Sequence, residues 1–422
     1  MPWYDSPMTE ETGLWLASRE DPARRTLAGG PELDRIMELF PRTAGEPAFD
    51  PTLIAANAER LRTAPPVDTG HPFLDRSVKI ALAHIDATFQ GDHPKYGVEY
   101  YAQDWCDGFP PTIIAAVDAL SAWGMGPRAA RFFRYWLLTF VRADGSIDYG
   151  YQGVDGSSVS EYGQLLDSAA ALEGRAGTEG WWSDGFGSLD RLAEHLLELA
   201  AVARRADGLI RGVPEADKRE EPGRFFHNGA WAARGLLRWA DLCERRGAHP
   251  TSSTTAIRGA AGQLASDTLR VLRKTWPADP SDWWLPPQAE PRPRPLGLTD
   301  GSLASYTNYR YWPELLSSGL LPADLANRVV EARLCAGGQF CGMTRFEDHL
   351  DDWPLAEYLR GLWHLGRRDD FLLSLYGHVA YHQAEGHLTA YEQVTLPPGR
   401  KVWPYCLPCQ LVVARAARVL CG

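Results

Sequence analysis

Basic residues are scarce in this chain: 43 Lys and Arg stand against 54 Asp and Glu, a formal charge of -11. A nucleic-acid partner needs a concentrated basic surface to neutralise phosphates, so that class is set aside. Long apolar runs are missing too. No stretch approaches the ~18 uninterrupted apolar residues of a membrane span, and no membrane partner is expected. The opening Met-Pro-Trp-Tyr-Asp-Ser-Pro-Met has neither the basic nor the apolar region of a secretory signal, so the expected compartment is the cytoplasm. Seven cysteines at irregular spacings suit a reducing compartment. Cys406 and Cys409 form a CxxC without the second pair of a zinc ribbon or the βαβ setting of a thioredoxin-like site. They read as small core residues at the start of the last helix. His382 and His387 share no helix face with a third obvious ligand. No strong motif calls for a metal or any other cofactor.

Strand-length alternation is nearly absent, apart from a short Ser146-Ile147-Asp148-Tyr149. Helical spacing of apolar residues is everywhere after Pro72, beginning with Phe73, Leu74, Val78, Ile80, Ala81, Leu82 and Ile85. Further helices are expected over 110–125, 127–142, 160–173, 188–206, 223–245, 252–275, 302–318, 322–336, 352–365, 369–384 and 405–420. That makes about twelve, joined by Gly-, Pro- and Asp-bearing turns. A solenoid would repeat its sequence at a fixed period, and no such repeat is present. Closure into a double ring of six helical hairpins, an all-α (α/α)6 toroid, accounts better for the pattern. Residues 1–65 are Pro-rich and weakly periodic, an irregular N-terminal arm packing on the core; 66–422 form the toroid. The Pro-rich stretch 279–299 carries Trp283 and Trp284 and reads as a lid.

Aromatics are plentiful, with 16 Trp, 16 Tyr and 14 Phe. Trp105, Trp181, Trp182, Trp283, Trp284, Trp312, Trp353 and Trp403 lie beside loop-forming residues, where their faces suit the C–H faces of sugar rings. Carboxylates gather in the same kind of loop. Asp104-Trp105-Cys106-Asp107 precedes a helix, which Asp107 either caps or leaves for a ligand. Glu215 and Asp217 precede Phe225-Phe226-His227-Asn228-Gly229-Ala230-Trp231, and a turn after Pro214 lets only one of the two acids reach a cleft. Arg345-Phe346-Glu347-Asp348-His349-Leu350-Asp351-Asp352-Trp353 is the densest group, with Asp352 placed to cap a helix. Glu392 stands in Thr389-Ala390-Tyr391-Glu392-Gln393. Glycoside hydrolysis needs two carboxyls across the scissile bond, usually from distant loops, and one mid-chain acid plus one late acid meets that demand.

The run Gly-x-Pro-Glu-Ala-Asp, then Phe-Phe-His-Asn-Gly-Ala-Trp, then Thr-Ala-Tyr-Glu-Gln resembles the six-hairpin glycosidase superfamily of glucoamylase-like, trehalase-like and glucosidase-like toroids. The resemblance spans roughly residues 70–420. It implies a glycoside hydrolase acting on a small or oligomeric sugar, with Glu215 or Asp217 as general acid and Glu392 as the base activating water. Analogy points to inversion. Asp104, Asp107, Arg345 and His227 then contact hydroxyls, and Trp105, Asn228, Trp231, Arg310, Asp348, Asp351 and Tyr391 complete the substrate contacts. Three other readings stand beside it. A terpenoid-type cyclase would use Asp348, Asp351 and Asp352 as its acidic motif. A polysaccharide lyase or epimerase would use His227, Tyr306, Tyr309, Arg310 and Tyr311. A non-catalytic glycan-binding toroid would keep the aromatics without two carboxyls across one cleft.

Overall fold

The computed structural model describes residues 67–98, 101, 104, 107–149, 158–173, 180–215, 222–300, 302–347, 349–383, 388–395 and 405–421, with the side chains of 303–308 left aside. The chain divides into Met1–Ala64 and Pro65–Gly422. The expected N-terminal arm lies outside the described residues.

The second unit is all-α with one small sheet. Its helices are α1 (Pro72–Thr88), α2 (Pro110–Ala122), α3 (Gly126–Phe140), α4 (Val159–Leu172), α5 (Trp181–Arg204), α6 (Phe226–Arg246), α7 (Thr254–Thr275), α8 (Leu303–Ser317), α9 (Ala323–Cys335), α10 (Leu355–His364), α11 (Arg368–Gly377), α12 (Leu407–Gln410) and α13 (Val412–Ala417). None among the described residues is long and apolar enough to cross a membrane. Their packing closes a ring: α2 touches α4, α4 touches α6, α6 touches α8, α8 touches α10, α10 touches α13, and α13 returns to α2. The odd-numbered helices from α1 to α11 lie outside, with α3 against α5 and α5 against α7.

Sequence dictates which helices go inside. Nearly every residue of α2, Pro-Pro-Thr-Ile-Ile-Ala-Ala-Val-Asp-Ala-Leu-Ser-Ala, is buried, as is nearly every residue of α4. A helix that is apolar or small all round has no face to offer water. Outer α3 instead buries Ala129, Phe132, Phe133, Trp136 and Leu137 along one stripe. Helix ends follow ordinary chemistry. Pro110 and Pro111 open α2 where an amide hydrogen is not needed. Ser253 caps α7 by accepting from the Ala256 amide. Gly247, at φ 60°, closes α6 in the left-handed region.

Helix α5 begins at Trp181, seven residues ahead of the expected start. Gly180, at φ 100°, turns the chain into it, and Trp182 and Phe186 pack on Trp239. Gly185 and Gly187 weaken the helical signal there; tertiary packing overrides it. The sheet is the larger departure from expectation. Strands β1 (Gln339–Phe340), β2 (Met343–Phe346), β3 (His349–Asp351) and β4 (Gln393–Thr395) pair antiparallel in that order. They are too short to show alternation in sequence. Ser146–Tyr149 contributes only an isolated bridge between Val141 and Ile147.

Within the stretch 279–299, residues 285–289 are pinned to the helices beneath. Phe226 donates its amide to the Pro287 carbonyl and Ala289 donates to the Arg224 carbonyl. The indoles of Trp276 and Trp312 donate to the carbonyls of Pro286 and Leu285. Most of the described Trp residues expected in a binding surface are likewise packing groups: Trp181, Trp284 and Trp312 are buried, and Trp182 and Trp283 pack against the core. Trp105 and Trp403 lie outside the described residues.

Two inner helices approach so closely that only glycine fits. A Cβ on Gly163 of α4 would stand 2.0 Å from the Trp231 carbonyl oxygen, and one on Gly235 of α6 would stand 2.4 Å from the Gly163 Cα. Gly163→Val is therefore expected to destabilise the fold by about 1–3 kcal/mol. Urea unfolding of the variant checks this; an unchanged midpoint would refute the close approach.

Candidate functional site

Inner helices begin at one end of the ring, and the loops before them converge there. The Tyr96 carbonyl accepts from the Leu407 amide at the start of α12. Gly97 bridges to Cys406, and Tyr391 to Tyr405. Trp353, just before α10, donates its indole N–H to the Tyr96 hydroxyl at 2.8 Å. Tyr96 packs edge-on against Tyr101 and against Phe109, which precedes α2.

Arg310 sits at the centre. Its Nε donates to Glu215 Oε2 at 3.0 Å, its Nη1 lies 2.5 Å from Glu314 Oε1, and its guanidinium lies 3.4 Å from the Trp353 ring centre. Arg310, Glu215 and Glu314 are all buried. Tyr309, the preceding residue, donates its hydroxyl to Asp351 Oδ2 at 3.3 Å. Burial holds the Tyr309 phenol far above its usual pKa, and the charges of Asp351, Glu215 and Glu392 act on it in the same direction. One phenol thus feels carboxylates from three separate segments.

The sheet supplies two of those segments. Register places Asp351 of β3 opposite Gln393 of β4, and the Gln393 amide donates to Asp351 Oδ2 at 2.8 Å. Burial raises the Asp351 pKa. Glu392, partly exposed, receives the Tyr101 hydroxyl, whose own pKa is raised by burial first and by Glu392 next. Its loop is tied to α12: the Gln410 side chain accepts from the Ala390 amide and donates to the Leu388 carbonyl.

His227 and Asn228 are hydrogen-bonded within the protein. Both are buried beneath the loop that carries Glu215. His227 Nε2 meets the Pro214 carbonyl at 3.0 Å, with its ring stacked on Tyr311. Asn228 donates to the Val213 carbonyl and accepts from the Ser160 amide. Trp231 donates its indole N–H to the Glu314 carbonyl. These three are the loop's foundation, and their place on an aromatic helix start is what made them read as contacts. Asp107 does not cap α2, whose N-cap is Phe109. It accepts from Lys95 and from His93, which also meets the Tyr135 hydroxyl, and Asp104 takes the same lysine. Arg345 lies on β2, facing the Glu347 carbonyl. Tyr391 is partly exposed beside Glu392. Asp217, Asp348, Trp105 and His387 lie outside the described residues, as does the side chain of Tyr306.

Asp352 does not cap α10 either; the N-cap is Pro354. Asp351, the last residue of β3, turns to Tyr309, while Asp352, just past the strand, turns to His378 at 2.9 Å. Asp351 and Asp352 therefore engage different partners. Sequence reading missed Glu314, Tyr101 and His378. The first two looked like ordinary helix and loop residues, whereas His378-Val-Ala-Tyr-His382 holds a legible i, i+4 histidine pair.

No family model matches this chain, and no curated protein matches it. Solved structures do. A glycosidase aligns with a TM-score of 0.58 at 15% identity, covering 82% of this chain and 97% of its own. A variant glycosidase in complex with glucose gives 0.57 at 14%, over 82% and 97%. A rhamnosidase from Klebsiella oxytoca with rhamnose bound gives 0.57 at 14%, over 85% and 66%. At such identities the likeness establishes the fold.

Two predictions follow from this geometry. Burial drives the His227 pKa down to about 3, below its unfolded value near 6.5. The unfolded chain therefore binds a proton first, so stability held above pH 6.5 falls as pH drops toward 3. His227→Phe should flatten that segment of a stability–pH curve; an unaltered slope would remove His227 as its source. Arg310→Met leaves two buried carboxyls unpaired and should cost about 3–5 kcal/mol in urea unfolding. Adding Glu314→Gln should recover part of that loss, and a strictly additive double variant would deny the coupling.

Proposed function

We propose that this chain is a glycoside hydrolase acting on a small or oligomeric sugar at the N-terminal ends of the inner helices. Glu215 is its general acid and Glu392 its general base. The observation that supports the reading is a chain of contacts linking their two loops: Arg310 holds Glu215, Tyr309 beside it holds Asp351, and Asp351 holds Gln393, the neighbour of Glu392.

The acid must hold a proton at neutral pH. Glu215 shares Arg310 with Glu314, so one positive charge faces two carboxyls and the triad is neutral with one proton on board. Burial raises the Glu314 pKa, which keeps that proton inside the triad and available to Glu215. Glu392 is the more accessible of the two carboxylates, as an acceptor of a proton from water should be. In the reaction, water oxygen bonds to the anomeric carbon as Glu392 takes its proton. The bond to the leaving oxygen breaks as Glu215 protonates it, with an oxocarbenium-like transition state between. The anomeric centre inverts. Asp351, held by Tyr309, Gln393 and the Trp353 amide, positions the cleft wall. Sugars bound in the structural neighbours, glucose and rhamnose, support a pyranose as substrate.

Aryl glucosides and rhamnosides of both anomers test this. Glu215→Gln and Glu392→Gln should each lower kcat by about 10²–10⁴-fold. A better leaving group should rescue Glu215→Gln and leave Glu392→Gln unimproved. Proton NMR of the first-formed sugar should show inversion. Rescue in Asp351→Asn instead would move the acid role to Asp351. Absence of wild-type turnover on every glycoside would sink the proposal.

A further inference from the structure

Behind the sheet, on the face away from Tyr309, lies a second cluster of a different chemistry. Asp352, His378 and His382 are fully buried, and one ligand-type atom from each lies within 4.8 Å of the others. His378 and His382 come from a single π-helical turn, His378–His382, that continues α11. Their rings stack at 5.5 Å and 17°, so both present an edge to the same carboxylate.

Donor and acceptor accounting shows why the cluster is unusual. His382 Nδ1 faces the Tyr391 carbonyl at 3.3 Å, an acceptor, so the ring proton belongs on Nδ1. Two protons on so buried a ring would cost the desolvation of a charge. The remaining nitrogen, Nε2, is then a bare lone pair, and it lies 3.3 Å from Asp352 Oδ2, another lone-pair atom. His378 Nδ1 reaches the same oxygen at 2.9 Å. Asp352 Oδ1 is already occupied by the Thr344 amide. Something positive belongs at the point where the three atoms converge.

We propose that Asp352, His378 and His382 bind a divalent transition-metal ion of the zinc type. Two imidazoles and one carboxylate are a common ligand set for such ions. Ligand distances of about 2.0–2.1 Å in a tetrahedron give edges of roughly 3.3 Å, and the two measured edges onto Asp352 are 2.9 and 3.3 Å. A metal-bound histidine characteristically donates its other N–H to a carbonyl, which fixes its tautomer; His382 does so to Tyr391. The site ties the end of α11 to β3 and to the segment just before Glu392. Its role is therefore to hold that wall of the cleft, and no substrate reaches it.

The full chain, dialysed against chelator and checked by circular dichroism, is titrated with Co²⁺ and separately with Zn²⁺. One equivalent of Co²⁺ should give the visible absorption of a tetrahedral nitrogen–oxygen site, and excess Zn²⁺ should raise Tm by roughly 3–6 °C. Asp352→Asn and His378→Gln should each abolish the Co²⁺ spectrum while remaining folded. Unfolding on chelation that Zn²⁺ reverses would also support the site. A folded, stripped wild type with neither spectrum nor Tm shift would overturn it, leaving a hydrogen-bonded trio that shares a proton. A spectrum undiminished in Asp352→Asn and in His378→Gln would overturn it equally, by placing the metal elsewhere.

Discussion

A guanidinium buried from water is tolerable only where carboxylates surround it, and Arg310 imposes that condition on the whole upper end of the ring. Its partners come from different places: Glu215 from the loop before α6, Glu314 from the next turn of its own helix. Glu314 in turn accepts from Ser160 of α4, and its carbonyl takes the Trp231 indole of α6. Three inner helices therefore meet at one charge. Removing either side of such a pair leaves an uncompensated buried ion, far costlier than never having built it. The same guanidinium covers one face of Trp353, an attraction worth about 2 kcal/mol when desolvated. Pro313 lies inside α8 and, lacking an amide hydrogen, releases the Tyr309 carbonyl from the helical ladder. Irregularity is thus built into the turn that carries both Tyr309 and Arg310.

Glu392 is held by a different principle, backbone register. Its neighbour Gln393 pairs with Asp351 across β3 and β4; a slip of one residue would turn every side chain of so short a strand to the opposite face. The approach to β4 includes Leu388 at φ 57°, a left-handed conformation costing a branched residue about 1–2 kcal/mol. Gln410 offsets that strain with two hydrogen bonds to the loop backbone. Strain retained next to a candidate catalytic carboxylate, and compensated by a buried side chain of another element, marks a loop whose exact path matters.

The helical part of this architecture was readable from the sequence because its signal is long. Thirteen to twenty-four residues of spaced apolar side chains in α2 to α7 outlast local noise, and Pro110, Ser253 and Gly247 mark their ends. The sheet was not readable, since β1 to β4 hold two to four residues each and β4 joins from a distant part of the chain, Gln393 pairing with Asp351. Glu215, Glu392, Asp351 and Arg310 stand out as candidates because carboxylates and cations in loops or amid aromatics are conspicuous. His227, Asn228 and Trp231 stand out for the same reason, but their burial under a loop leaves no trace in a short motif. Asp107 and Asp352 show the limit most clearly. Each stands where a helix cap would be expected, and each is drawn away by partners distant in sequence, Lys95 and His93 for one, His378 for the other.

Charge is also divided along the ring. Elsewhere on the inner helices, Asp118 binds Arg360 and Arg415, Glu357 binds Arg415, and Asp167 binds Arg234 and Arg238. For Glu357 burial is outweighed: its pKa falls to about 2 although desolvation alone would raise it. At the upper end the balance reverses. Asp351 and Glu314 are raised by burial despite nearby donors, and the single Arg310 is shared between Glu215 and Glu314. Helix N-termini there supply partial positive charge. A carboxyl kept protonated by burial beside a more accessible carboxylate is what the acid–base hydrolysis proposed above requires.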